Sequence, residues 1–145
     1  MKHPKAECEE LVDVILPFAE QMLLEYGEFH PFGAAMKVDG EVVSVSALDG
    51  RDFPPAVDMI QLLKDSYIKA ARDGTYKATA LAYDVRVTLS TKQEKTDAVA
   101  VSLNHEDGYS VIALFPYKIE NGCVTFGDAL AQAGEGDIFP RRLLS

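Results

Sequence analysis

After Gly74 the hydrophobic pattern changes period, and that change constrains the fold more than any other feature of the chain. Upstream, apolar residues recur at helical spacing. From residue 76 they alternate. Residues 76–89 predict one long strand with Leu81, Tyr83, Val85, Val87 and Leu89 on one face. The polar run STKQEKT then reads as a loop. Strands at 97–105 and 109–119 follow, joined at Asp107-Gly108, and Asn121-Gly122 leads into a short strand at 123–127. Such dipeptides between alternating segments signal two-residue type I′ turns, which need positive φ at both central positions. Strands joined so tightly pair antiparallel, so the second half predicts a meander.

The first half predicts two helices around a hairpin. Residues 4–26 carry Leu11, Val14, Ile15, Phe18 and Met22 at helical spacing, with Pro4 in the first turn and Gly27 as the stop. Pro17 predicts a kink or a division of this helix. Asp39-Gly40 predicts a turn between strands at 33–38 and 41–48. Residues 54–73 predict the second helix, with Val57, Ile60, Leu63, Tyr67 and Ala71 on one stripe, Asp52 as cap and Gly74 as stop. The tail predicts one short helix at 128–133. The fold class is therefore α+β: an antiparallel sheet of five to six strands with helices packed on it, in the order α-β-β-α-β-β-β(-β).

The chain has 145 residues, the size of one domain, so 1–145 reads as a single unit. Folding at this length buries roughly 70% of the unfolded surface, enough for a core without metal or disulfides. The net charge of −9 opposes nucleic acid and anionic membranes, which need Lys and Arg to displace counterions. It suits solubility or a basic partner. Cys8 and Cys123 form no disulfide framework, and MKHPKAECEE lacks the apolar stretch of a signal peptide. The expected location is cytoplasmic.

If Asp107-Gly108 is a two-residue turn, residue 106 faces 109 and 103 faces 112. Val99, Val101, Leu103, Ile112 and Leu114 then share one face with the large residues of 81–89. The opposite face becomes a floor of Ala80, Ala82, Ala98, Ala100, Ser102 and Ala113, edged by Asp84, Arg86, Phe115 and Tyr117. Two readings of that floor stand. Either the first helix covers it, with Asp84 and Arg86 paired at the edge, or it is a groove or dimer surface. Asp84, Arg86, Phe115 and Tyr117 are the candidate binding residues.

No motif for catalysis emerges. His3, His30 and His105 lack a second ligand at metal spacing, and no cofactor is implied. His105 reads as an exposed turn residue. Phe29 and Phe32 around His30 read as rings pinning the helix end to the first strand. Glu7, Glu9 and Glu10 read as a solvated helix start that would also raise the Cys8 pKa. G-x-S-x-G, GxGxxG and phosphate-loop patterns are absent from the sequence.

The order of elements, with GAAMKVDGEVVSVSA as the first hairpin, resembles the profilin-like arrangement of roadblock and longin-type domains. The resemblance covers residues 5–118 as topology and the hairpin alone as sequence. It implies a non-catalytic, dimerising platform, and it carries over no functional residue. The phrases EFHPFGAAM, YDVRV and LFPYK are similar to segments of uncharacterised bacterial proteins, a likeness that implies no activity. The expected function is a non-catalytic protein-protein interaction module, dimeric, with a protein partner or a second copy bound. The alternatives are an acidic inhibitor or immunity-type protein and a small-molecule-binding domain with a central pocket around Asp84 and Arg86.

Overall fold

The computed structural model describes residues 3–46, 55–88 and 95–139. Its elements run α1 (Pro4–Tyr26), β1 (Phe32–Lys37), β2 (Val42–Ser46), α2 (Ala56–Arg72), β3 (Tyr76–Thr88), β4 (Lys95–His105), β5 (Ser110–Glu120), β6 (Cys123–Phe126) and β7 (Leu130–Ala133). The strands form one antiparallel sheet in the order β2-β1-β3-β4-β5-β6, with β7 also pairing β5. The α+β class and the element order follow the sequence pattern. β7 stands where the tail predicted a short helix. β5 pairs β7 through Val111–Leu114 and β6 through Tyr117–Glu120. Pro116, which has no N–H to give a ladder, stands between the two pairings.

Both helices end where the glycines predict. The Gly27 N–H reaches the Leu23 carbonyl with φ at 73°. At α2, Gly74 takes φ 72° while Thr75 N–H reaches Ala70 and Gly74 N–H reaches Ala71, the paired bonds of a Schellman end. The start of α2 has no side-chain cap, and Asp52 lies outside the described residues. α1 runs unbroken through Pro17.

The helices cover opposite faces of the sheet. α1 buries Cys8, Leu11, Ile15, Ala19 and Leu23 against Ala34, Met36, Ala78, Ala80, Ala82, Val99, Val101 and Leu103. Each large aliphatic chain so buried contributes on the order of 2 kcal/mol. α2 buries Met59, Leu63 and Tyr67 against Ala35 and Leu81, joined by Ile138 from the tail. The Tyr67 hydroxyl donates to the Ala80 carbonyl at 2.7 Å and lies 3.3 Å from that of Ala34. It occupies the place where a side chain at position 33 would stand: a Cβ on Gly33 would lie 1.9 Å from that oxygen.

The predicted floor of alanines is not present. Leu103 pairs with Val111, not with residue 112. Paired residues share a face. Val111, Ala113, Phe115 and Tyr117 therefore join Val99, Val101 and Leu103 beside Ala80 and Ala82, under α1. Ala98, Ala100 and Ser102 join Leu81, Tyr83, Ile112 and Leu114 on the face of α2. Two registers differ from the expectation: β3 sets Ala80 against Leu103 and Ala82 against Val101, away from Ala98 and Ala100, and the turn between β4 and β5 shifts β5. His105 N–H reaches the Tyr109 carbonyl across three loop residues, and Gly108 alone takes positive φ, at 96°. One extra loop residue moves the register by one and reverses every side chain.

Candidate functional site

Three places bring chemistry or unpartnered surface together. The first lies beneath the start of α1. Glu7 occupies the same four-residue row as Leu11, Ile15, Ala19 and Leu23, so it faces the sheet and is 6% exposed. Its Oε1 meets His105 Nε2 at 3.0 Å and its Oε2 meets Lys77 Nζ at 2.6 Å. His105 Nδ1 accepts the Asp107 N–H at 3.1 Å. That assigns the ring proton to Nε2, which donates to Glu7. Burial pushes the Glu7 carboxyl up, but Lys77 and His105 outweigh it and hold it below its ordinary value. Lys77 is raised in turn, chiefly by its bond to Glu7.

A β-bulge makes this network. Met36 pairs with Ala78 but Lys37 with Tyr76, which leaves Lys77 as the extra residue of β3. The bulge lets Tyr76 pack on the side of Tyr67 while Lys77 turns toward α1. Glu7 and His105 are therefore not the solvated helix start and exposed turn histidine that their neighbours suggest. Both are buried, and together they bolt the start of α1 to the sheet. Cys8 beside them is fully buried, and burial, then Glu7 and Glu9, pushes its thiol up to about 12.

The second place holds the sequence candidates. Asp84, Arg86, Phe115 and Tyr117 do share one face, that of α1. Tyr117 donates to Asp84 Oδ1 at 2.9 Å. Burial raises the Asp84 carboxyl and the bond from Tyr117 opposes this, with a net rise. Arg86 pairs across the strands with Asp97 at 3.6 Å, rather than with Asp84. Phe115 and Tyr117 pack into the core beneath α1. A shallow depression of about 350 Å³ opens beside Arg86, Lys95, Asp97, Tyr117 and Lys118. It mixes both signs of charge and does not include Phe115.

The third place was not legible as a site. β2 is the edge of the sheet, and among the described residues only β1 pairs with it. Lys37 N–H bonds the Glu41 carbonyl, so bonded pairs alternate from there to Ala35–Val43 and Gly33–Val45. The N–H and C=O of Val42, Ser44 and Ser46 consequently point away from the sheet. Between this strand and α1 runs a groove of about 200 Å³ lined by Val14, Phe18, Phe32, Ser44, Val45 and Ser46. Phe18 is 47% exposed although its ring packs at a tilt against Phe32, 4.8 Å between centroids, and Phe32 in turn meets Phe29 at 5.8 Å. The two latter rings pin the end of α1 to β1, as their positions around His30 predict.

No group of three or more metal-ligating side chains occurs among the described residues, and no described helix is long and apolar enough to cross a membrane. Comparison with known proteins finds no matching family model, no matching curated protein and no matching solved structure.

Proposed function

We propose that the chain is a non-catalytic protein-interaction module that accepts an extended strand along the edge of β2 that no other described strand pairs. The observation that carries this is the edge itself. Sheets in free-standing proteins guard their edges with Lys, Pro, bulges or inward charges. β2 reads Val42-Val43-Ser44-Val45-Ser46, has regular pairing to β1, and carries none of these. An added strand would gain backbone hydrogen bonds from residues 42, 44 and 46 and would lay alternate side chains into the groove at Phe18.

The reading also separates this module from an acidic inhibitor. No groove residue is charged. Binding there should change little with salt, whereas an acidic surface steering a basic partner weakens steeply. Selection of extended peptides from a displayed library tests the proposal. Wild type should enrich β-forming, apolar sequences, and Ser44→Pro should lose them. Ser44 bonds away from β1, so proline there removes the outward donor and spares the existing ladder. Equal enrichment by both proteins, or none by a wild type that is monomeric at the selection concentration, would sink the idea.

A further inference from the structure

We infer that the strand taken up by β2 is β2 of a second copy, giving a two-fold dimer with one continuous sheet. The inference rests on the strand-accepting reading above and names its occupant. A two-fold interface must be its own complement. With Ser44 on the axis, antiparallel pairing sets Ser44 against Ser44, Val43 against Val45 and Val42 against Ser46. The outward groups belong to 42, 44 and 46, so the axial pair Ser44–Ser44 forms both of its hydrogen bonds and the Val42–Ser46 pairs complete the ladder on either side. Each Val43–Val45 pair meets on the face of α2, and the Ser44–Ser44 and Val42–Ser46 pairs meet on the face of α1.

Charge selects the same occupant. Two copies each carry −9 and repel wherever acids face each other. β2 and the groove beside it carry no charge at all. The nearest acid on the strand path, Glu41, is three residues from the axis, so the two copies of it stand roughly 20 Å apart, beyond the screening length of about 8 Å. A basic peptide finds no acid in the groove to hold it. An uncharged, β-branched strand does find its match, and β2 is such a strand. The pairing also brings the two α1 helices to the same side of the joined sheet, with Val14 and Phe18, 40% and 47% exposed, on the flanks that face the axis.

Sedimentation of the full chain over a dilution series tests this. Wild type should dimerise. Ser44→Pro should weaken the dimer by about tenfold or more, since the axial pair loses both donors. Ser44→Lys, whose side chain is exposed in the monomer, should do the same by opposing like charges on the axis. In a Cys123→Ser background, Ser44→Cys should form a disulfide-linked dimer under mild oxidation, because Cα atoms of a bonded pair lie about 5.5 Å apart. Gln61→Cys, on the exposed side of α2, should not. A monomer at every concentration overturns the inference, as does a dimer that ignores both Ser44 variants and fails to cross-link. A monomer that still enriches strand peptides overturns only the second copy. One that enriches none overturns the strand-accepting module as well.

Discussion

Replacing Glu7 by Gln tests the network that fastens α1. The carboxylate is 8% exposed, faces a buried imidazole at 3.0 Å and an ammonium at 2.6 Å, and each of its oxygens has one of these partners. Gln keeps an acceptor for His105 but turns an uncharged amide toward Lys77. Removing one partner of a fully buried ion pair costs about 3–5 kcal/mol, and an exposed pair is worth about 0–1. Lys77 retains 21% exposure, so water recovers part of its solvation. The expected loss at neutral pH is about 2 kcal/mol. For 145 residues an unfolding entropy of roughly 0.3 kcal/mol/K makes that about 7 °C in Tm.

The dependence on pH gives the sharper test. The folded carboxyl of Glu7 sits below its ordinary value of 4.5, so between the two values the unfolded chain binds more protons. The stability from Glu7 is therefore complete above 4.5 and is lost as pH falls through the folded value. Urea denaturation of wild type and Glu7→Gln at pH 7 and pH 3 measures this directly. The gap of about 2 kcal/mol at pH 7 should shrink at pH 3. A gap under about 0.5 kcal/mol at pH 7 places the pair among inert surface ion pairs. A gap unchanged at pH 3 means the charge of Glu7 is not the source of its effect. Either result refutes the reasoning.

Other substitutions probe the core. Gly33→Ala sets a Cβ 1.9 Å from the Tyr67 hydroxyl and 2.5 Å from the Ala80 carbonyl, so it should destabilise by about 3 kcal/mol, read by urea midpoint; a loss below 1 would mean that α2 shifts freely. The Thr79 hydroxyl is buried without a partner among the described residues, so Thr79→Val should stabilise by about 1 kcal/mol in the same assay, and destabilisation would point to a bridging water. Native protein should expose one thiol to a disulfide reagent, that of Cys123, with Cys8 reacting only on unfolding; two fast thiols would contradict the burial of Cys8.

The elements were legible because their signals are local. Gly27 and Gly74 stop helices, alternation marks β3, and Phe29 and Phe32 flank a bend. The network at Glu7 was hidden because its parts are brought together only by the tertiary fold. Alternation assigns Lys77 to the face of Leu81, and only the bulge opposite Met36 and Lys37 turns it over. His105 beside Asp-Gly looks like any turn residue. One signal was present: Glu7 is the first member of the row that continues as Leu11, Ile15, Ala19 and Leu23, and an acid on a buried row requires a buried partner. The edge at β2 was hidden for another reason, since strand order is not encoded in any single strand.

Part of the revision comes from the turn dihedrals, and part from β3, which pairs Ala80 with Leu103 and Ala82 with Val101. Among the described residues three hairpin turns carry Asp-Gly or Asn-Gly, and the sequence treats them alike. Asn121 accepts φ 52° and with Gly122 makes the two-residue turn, so Glu120 faces Cys123. Asp39 and Asp107 keep negative φ. Asp39 instead accepts the Glu41 N–H on its carboxylate at 2.9 Å, and the N–H of Asp107 is taken by His105. Each loop then spans three residues with glycine in third place, and each register moves by one. For β4 and β5 that step interleaves the residue sizes. Under α1 the order across the sheet becomes Ala82, Val101, Ala113; under α2 it becomes Leu81, Ser102, Ile112. α1 meets alanines on β1 and β3 (Ala34, Ala78, Ala80 and Ala82) beside the larger Val99, Val101 and Leu103 of β4, a surface of ridges and hollows that its own side chains can fill. With both faces of the sheet engaged by helices, the proposed partner surface lies not in the middle of the sheet but at its edge, where no other described strand pairs the outward backbone groups of β2.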